Sequence, residues 1–254
     1  MVMHSRPKWF FYIIKPMLNA VLRILFNIRV EGWENLPKKP YIMVSNHLSW
    51  IDPIVYLGLW SIAPKLVFIA NAATSVKNPM ARFFIGLADH PLVPFDKRDR
   101  RSRLNALRSM LRQAQAGRNV CFFPEGRIGM EGKMCPFHSG AFALSKKLER
   151  MVVPVGLAGT NSLYWRKPIR ISIGSPITPQ ADETIDQMTI RAHAVMRSLI
   201  PPYPGDLPEP RRLQSLATLF GVEHHPFVFD GKQALYKEGD PDGYDPLREE
   251  SGLN

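Results

Sequence analysis

Residues 41–53 read YIMVSNHLSWIDP and predict a strand, a turn and a helix in immediate succession. The first four residues are apolar and suit a buried strand, which a short polar turn then ends. Ser49 or Asp52 can cap the helix that follows, and Pro53 is well placed at its first position. His47 is therefore expected at the carboxyl end of a strand, where α/β sheets usually expose their ligand sites.

The spacing of His47 and Asp52 suits a general base and the carboxylate that orients it. Asp52 lies about one helical turn after His47 and can accept a hydrogen bond from one imidazole nitrogen, which leaves the other nitrogen free to take a proton. The alternative is a structural histidine beside a helix-capping aspartate. His225 and Asp230 repeat the spacing without a strand, a helix start or a phosphate site around them, and we interpret that pair as a coincidence.

A second segment adds the chemistry of an anion site. Residues 119–123 predict a buried strand, which Pro124 breaks. Glu125 and Gly126 then lie at a strand end, where they can hydrogen-bond or closely approach a polar substrate. Arg127 offers a bidentate fork that suits a phosphate. The alternative is a surface turn with a solvated arginine.

These segments, taken in order, resemble the glycerolipid or lysophospholipid acyltransferase family. The first block of that family is Asn-His followed by four residues and Asp, and its third block is Phe-Pro-Glu-Gly; residues 46–52 and 123–126 match them. Residues 152–156 are similar to the fourth block, an apolar strand with a central Pro. The resemblance covers roughly residues 25–180. With residues 137–141, the third block is most similar to the acyltransferase half of bacterial 2-acylglycerophosphoethanolamine acyltransferases.

The second block departs from the family pattern. Members usually carry an Asp-Arg pair there, whereas residues 94–100 read PFDKRDR, so that either Lys97 or Arg98 can occupy the phosphate-contacting position. The third block departs as well, because Arg127 follows Gly126 directly where many members have Thr-Arg-Ser. The choice of head group is therefore open.

The resemblance implies O-acyl transfer in phospholipid biosynthesis or remodelling. His47 would deprotonate the free hydroxyl of a lysophospholipid such as 1-acylglycerol-3-phosphate, and Asp52 would orient His47. Backbone N–H groups at the helix start after His47 are candidate oxyanion donors. The residues implied to hold the acceptor's phosphate or head group are Lys97, Arg98, Glu125, Gly126 and Arg127.

Several alternatives to this activity stay open at the level of sequence. Lysophosphatidylethanolamine or a lyso-ornithine lipid could be the acceptor, and a catalytically inactive membrane-binding protein could keep the same fold. The implied donor is an acyl thioester of coenzyme A or of acyl carrier protein, and no other cofactor is implied. The sequence shows no metal-ligand cluster, and neither cysteine has a spacing typical of a metal site.

Composition is consistent with a lipid enzyme. The chain has 254 residues, 45% of them hydrophobic, which is enough for one sizeable α/β core. Its two cysteines favour a reducing, cytosolic-side location. The net charge of +11 favours a polyanionic partner, either an anionic membrane, a thioester donor's phosphates, an acidic carrier protein or nucleic acid. Nucleic acid is disfavoured, because no recognised DNA or RNA module is present and the apolar N-terminus would stay unexplained.

The N-terminal segment predicts attachment to a membrane surface. Residues 9–28 are largely apolar, but polar side chains recur every four positions and would form one stripe on a helix. Those side chains belong to Lys15, Asn19, Arg23 and Asn27. Charges within the stretch favour a helix lying in the interface over one that spans the bilayer, and Pro16 is expected to divide it into two shorter helices. Aromatic residues at 9–12 strengthen this interpretation, whose alternative is a core helix packed on the domain.

The expected location is thus the cytoplasmic face of the inner or plasma membrane, with membrane phospholipids as partners. The rest of the chain predicts an α/β fold, a mixed sheet flanked by helices, because helical and strand patterns alternate. Helices are expected at residues 102–116, 140–149 and 183–199, and strands at 152–157 and 169–173. The predicted domains are 1–30 for the membrane-associating helices, 31–200 for the acyltransferase domain and 201–254 for a Pro-rich, partly irregular extension.

Overall fold

The elements of the fold are given by a computed structural model that describes residues 8–58, 66–71, 93–96, 99–129, 134–161, 163 and 165–201. The helices are α1 (Lys8–Leu25), α2 (Asp52–Gly58), α3 (Arg100–Gln115), α4 (Gly140–Leu148) and α5 (Ile185–Leu199). The strands are β1 (Phe26–Glu31), β2 (Ile42–Ser45), β3 (Leu66–Asn71), β4 (Val93–Phe95), β5 (Asn119–Phe122), β6 (Val152–Ala158) and β7 (Lys167–Ile173). Most of the predicted extension, residues 202–254, lies outside the described residues.

All seven strands form one sheet in the order β1-β7-β6-β2-β5-β3-β4. The strands from β6 to β4 run parallel to their neighbours, and β1 runs parallel to β7. Strands β6 and β7 pair antiparallel, so the sheet changes direction once, between them. This confirms the predicted mixed sheet flanked by helices.

Both faces of the sheet are buried, and side chains alternate between them. Ile42 and Val44 of β2 join the core cluster on the face that α3, α4 and α5 cover. Met43 points to the opposite face, where Leu22 of α1 and Ile54 of α2 complete a second cluster. The near-continuous apolar sequence of the central strands follows from this double burial.

The carboxyl ends of β6, β2 and β5 lie together at one edge of the sheet, because these strands are parallel neighbours. His47 follows the end of β2, Glu125 follows β5, and Thr160 follows β6. Three segments that are far apart in the chain therefore meet at this edge, which is where parallel sheets usually bind ligands.

Helix α1 differs from the prediction in two respects. It is continuous from Lys8 to Leu25 with Pro16 inside it, so the predicted division into two shorter helices is wrong. Proline in a helix interior removes one hydrogen bond and crowds the carbonyl of residue i−4, but the packing of Leu18, Leu22 and Leu25 on the core supports the helix beyond it. The helix also ends earlier than expected, because Asn27 belongs to β1, where it pairs with β7. Among the described residues, no helix has both the length and the apolarity that a membrane span requires.

We predict that Gly159→Ala destabilises the fold by about 2 kcal/mol or more, because the backbone there is left-handed and crowded. Gly159 has a φ of +93°, and a Cβ at this position would lie 2.1 Å from the carbonyl oxygen of Pro168 in β7. The free energy of unfolding in urea measures the effect.

Gly117→Ala is the matched control for Gly159→Ala. Gly117 has a φ of +78°, but a Cβ there would meet no atom within 4 Å. It carries the backbone strain without the collision, so a loss of about 1 kcal/mol is expected. Equal losses in the two variants would show that the close approach of Gly159 to β7 does not matter.

Candidate active site

His47 and Asp52 are in direct contact. His47 Nδ1 lies 2.8 Å from Asp52 Oδ2, so the carboxylate accepts the hydrogen bond that the sequence predicts. The Asp52 side chain is completely buried, whereas 19% of the His47 side chain is exposed. The pair is thus built with its carboxylate inside the protein and its imidazole at the surface, and Nε2 is the ring nitrogen that Asp52 leaves free.

Asp52 accepts further hydrogen bonds from its own turn and from a distant strand. The backbone N–H groups of Leu48 and Ser49 donate to Oδ2 over 2.7 and 2.9 Å. The hydroxyl of Thr160 donates to Oδ1 over 2.5 Å. The Leu48 and Ser49 amides are thus engaged by Asp52, and the oxyanion role of N–H groups at the helix start after His47 stays a prediction.

The third block holds the backbone of the His47 turn. Glu125 is fully buried, and its carboxylate accepts hydrogen bonds from the backbone N–H groups of His47 and Cys135, over 3.1 and 2.9 Å. Gly129 N–H donates to the carbonyl oxygen of His47 over 2.6 Å. Both backbone polar groups of His47 are therefore fixed by residues about 80 positions later in the chain.

The His47 ring also stacks on a side chain of the same segment. Its centroid lies 4.2 Å from that of Phe123, with the two planes 21° apart. Phe123 in turn stacks at 6.2 Å on Phe68 of β3. The imidazole is thus restrained by a hydrogen bond at one nitrogen and by an aromatic face along its side.

Glu125 does not have the surroundings of a solvent-exposed ligand. Burial raises the pKa of its carboxyl group above the ordinary value of 4.5, and the two N–H donors partly offset this effect. The contact of Glu125 with an acceptor stays a prediction. The geometry assigns its two oxygens to the turn that carries His47 and to the loop at Cys135.

Gly126 and Arg127 form the turn beyond Glu125. Gly126 has a φ of +64°, and a Cβ there would lie 2.9 Å from the Nε2 of His138, so that neither the backbone nor the space suits a side chain. Arg127 is 8% exposed and lies at the same edge of the sheet. These positions keep both residues as candidates for contact with an anionic group.

The predicted second-block residues Lys97 and Arg98 lie outside the described residues. The aspartates that flank them are described. Asp99 caps α3 by accepting hydrogen bonds from the N–H groups of Arg101 and Ser102, and the N–H of Asp96 donates to the Ser102 hydroxyl. The second block is therefore anchored at the start of α3, which follows β4 at the same edge of the sheet.

Two contacts that build the site were not predicted. The Asn46 side chain donates to the carbonyl oxygen of Leu157 and accepts from its N–H, over 2.8 and 2.7 Å, which continues the pairing of β2 and β6 beyond the end of β2. Thr160 supplies the hydroxyl that reaches Asp52. A polar residue after an apolar strand was the only available signal, since the pairing of β6 with β2 cannot be deduced from periodicity. Within the described residues, no group of three or more His, Cys, Asp or Glu side chains is arranged to hold a metal ion.

Comparison with known sequences identifies relatives. Residues 27–158 match the sequence model of the Acyltransferase family. The chain is 31% identical over 160 residues to the chloroplastic 1-acyl-sn-glycerol-3-phosphate acyltransferase of Arabidopsis thaliana, covering 62% of this chain and 43% of that protein. It is 28% identical over 193 residues to the human 1-acyl-sn-glycerol-3-phosphate acyltransferase alpha, covering 70% of this chain and 65% of that protein. The chain therefore spans less than half of the Arabidopsis relative.

A solved structure shares the fold. The 1-acyl-sn-glycerophosphate acyltransferase of Thermotoga maritima superimposes with a TM-score of 0.57 at 22% sequence identity. The superposition covers 74% of this chain and 78% of the other. The arrangement of strands and helices is thus similar in the two proteins.

Glu125→Gln is predicted to remove a pH dependence of stability. Because the pKa of Glu125 is raised on folding, the folded wild type retains a proton that the unfolded chain releases above 4.5, and its stability falls as the pH rises from 4.5 through the raised pKa. Glutamine has no proton to release. The difference in unfolding free energy, wild type minus variant, should therefore decrease over this window when both are measured in urea at each pH. A difference that does not change with pH would contradict the raised pKa.

Proposed function

Because the chain belongs to the Acyltransferase family, we propose that it moves a fatty acyl group from an acyl thioester to the free hydroxyl of a lysophospholipid. The reaction is an O-acyl transfer in phospholipid biosynthesis or remodelling. The acceptor we favour is 1-acylglycerol-3-phosphate, and the names of the Arabidopsis and human relatives support it.

The observation that carries this proposal is the contact of a partly exposed imidazole with a buried carboxylate, at the edge where three parallel strands end. An aspartate bound to Nδ1 fixes the tautomer that leaves Nε2 free to accept a proton, and it stabilises the imidazolium that forms. Phe123 and Glu125 restrain the ring and the backbone of His47. The base is thus pre-organised before a substrate arrives.

The proposed reaction needs no acyl-enzyme. Nε2 of His47 takes the proton of the acceptor hydroxyl as that oxygen attacks the thioester carbonyl. The carbon–sulfur bond then breaks, and the leaving thiolate takes the proton from the imidazolium. The products are the diacyl lipid and the free thiol of the donor, and His47 returns to its neutral form.

The acceptor's phosphate is proposed to lie beside the third block. Arg127 can bind phosphate oxygens through its planar guanidinium, and Lys97 or Arg98 from the second block is proposed to add charge. Gly126 is proposed to let the backbone turn beside the phosphate, because its φ of +64° and the nearby His138 ring suit a residue without a side chain. Glu125 is proposed to support this turn from within, through its buried contacts.

Other substrates keep the same chemistry. Lysophosphatidylethanolamine or a lyso-ornithine lipid would offer the same kind of free hydroxyl, and the thioester could be carried by coenzyme A or by acyl carrier protein. A catalytically inactive membrane-binding protein is the alternative outside enzymes. That alternative requires the His47–Asp52 pair to be dispensable.

We also propose that α1 lies in the membrane interface, at the cytoplasmic face of the inner or plasma membrane. One side of this helix exposes large apolar side chains at successive positions about one turn apart. They belong to Ile13, Met17, Val21 and Ile24. Leu18, Leu22 and Leu25 face the core instead. An exposed apolar stripe on a helix that is already packed on its domain supports binding to a lipid surface.

The turn at residues 165–166 lies beside the end of α1 and adds to the proposed membrane-binding surface. Arg166 donates from its backbone to the carbonyl oxygen of Leu25 over 2.6 Å and from its guanidinium to that of Arg23 over 3.0 Å. This holds Trp165, half of which is exposed, beside the end of α1. Tryptophan favours the membrane–water interface, and arginine attracts anionic lipid head groups.

His47→Ala is predicted to lower acyl transfer at least about a thousandfold, because the general base is lost. The assay offers purified wild type and variant in detergent both thioester donors against a panel of lysophospholipids, with products identified by mass spectrometry. Asp52→Asn should cause a loss of similar size. Retention of folding and vesicle binding by both variants distinguishes loss of chemistry from loss of structure.

His225→Ala is the matched control, because His225 and Asp230 repeat the spacing of the proposed pair. This variant should keep the wild-type rate. Undiminished transfer by His47→Ala would exclude His47 as the base. Absence of transfer by the wild type with every acceptor would favour the inactive membrane-binding protein.

The double variant Met17→Glu, Ile24→Glu is predicted to bind vesicles of phosphatidylglycerol and phosphatidylethanolamine at least about tenfold more weakly, because two apolar side chains no longer enter the interface. Co-sedimentation measures the bound fraction. Ile190→Glu is the control, since Ile190 is 70% exposed on α5, on the other face of the sheet. Equal weakening by Ile190→Glu would contradict a specific role for α1.

A further inference from the structure

Thr160 contacts the carboxylate of the His47–Asp52 pair from the neighbouring strand. It follows Gly159 at the end of β6, and its side chain is completely buried. Its hydroxyl lies 2.5 Å from Oδ1 of Asp52, although the two residues are 108 positions apart in the chain. Asp52 and Thr160 therefore connect the turn after β2 to the end of the neighbouring strand.

The four donors to Asp52 divide between its two oxygens. Oδ2 accepts from His47 Nδ1 and from the backbone N–H groups of Leu48 and Ser49. Thr160 is the donor to Oδ1 among the described residues. Rotation about the Cβ–Cγ bond would move both oxygens, so the bond at Oδ1 adds to the three at Oδ2 in fixing the plane of the carboxylate. The Thr160 hydroxyl therefore contributes, from the opposite oxygen, to how Oδ2 faces the imidazole.

We propose that Thr160 is a positioning residue for the His47–Asp52 pair, one that fixes the plane of the carboxylate and disperses part of its charge. The inference rests on the proposed function for its consequence on rate. The positioning of the imidazole and the carboxylate by Thr160 does not depend on that function.

The other ionisable groups around Asp52 do not supply this effect. Burial raises the pKa values of Tyr56 on α2 and Cys121 on β5, and the nearby charge of Asp52 raises them further, so both groups are neutral at physiological pH. Glu125 reaches the backbone of His47 and not Asp52. The negative charge of Asp52 is therefore stabilised mainly by its hydrogen-bond donors. Among the donors that the described structure shows, Thr160 supplies the side-chain hydroxyl.

Thr160→Val keeps the shape of the side chain and removes the hydroxyl, so it tests the inference directly. With one donor lost, the plane of the carboxylate and its hydrogen bond to His47 Nδ1 should change. The His47 ring resonances, followed by NMR of protein labelled at histidine and assigned with His47→Gln, should therefore move from their wild-type positions. For acyl transfer, kcat should fall about tenfold with KM unchanged.

Two further variants complete the test. Thr160→Ser keeps a hydroxyl and should restore both the His47 resonances and kcat. Thr189→Val removes a hydroxyl from α5, where Thr189 is 8% exposed and donates to the carbonyl oxygen of Ile185, and it should change neither the resonances nor kcat. Unchanged His47 ring resonances in folded Thr160→Val would overturn the inference, as would a change of equal size in Thr189→Val. A wild type without transferase activity would remove the proposed function and leave the NMR comparison still decisive for Thr160.

Discussion

A carboxylate that is completely removed from water must be satisfied by hydrogen bonds, and the site depends on this constraint at Asp52. Its donors come from the turn it belongs to, from His47 and from the end of β6. Removal of any one donor would leave part of a buried charge unsatisfied. The turn therefore has little freedom to move relative to β6, and the direction of the His47 ring follows from the same bonds.

The first and third blocks act as one structural unit for the same reason. Glu125 accepts a hydrogen bond from the N–H of His47, and Gly129 donates one to the carbonyl oxygen of His47, so that both backbone polar groups of His47 are paired. A Cβ at Gly129 would lie 2.9 Å from the Glu125 carboxylate, and this explains why a glycine follows the short Arg127-Ile128 segment. Packing against Glu125 thus accounts for the glycine at position 129, in the part of the third block that departs from the family pattern.

The central part of the fold was predictable because its signals are local. The apolar run of β2 and the helical period of α3 each appear within a few neighbouring residues, and both elements lie within two residues of their predicted positions. Strand β1 was missed because Phe26 continues the apolar sequence of α1 without a break. The contacts of Asn46, Glu125 and Thr160 depend on which strands are neighbours, and strand order is set by packing between distant segments. The pairing of His47 with Asp52 was accessible because both residues belong to one turn.

Helix α1 lies between the proposed membrane surface and the core that supports the turn of His47 and Asp52. Leu22 packs in the same core cluster as Ile51 and Ile54, which flank Asp52 in the chain, while Met17 and Ile24 remain outside. The two apolar sides of one helix thus face the catalytic domain and the proposed lipid phase. Because α1 contacts α2, the helix that begins at Asp52, an interfacial α1 would bring the turn that carries His47 close to the head groups. An acceptor could then present its hydroxyl to His47 while its acyl chain stays in the membrane. The hydrophobic cost of extracting that chain, about 0.8 kcal/mol per methylene, would be avoided, and this gives a physical reason why the proposed reaction would benefit from a His47 turn beside the proposed interfacial helix.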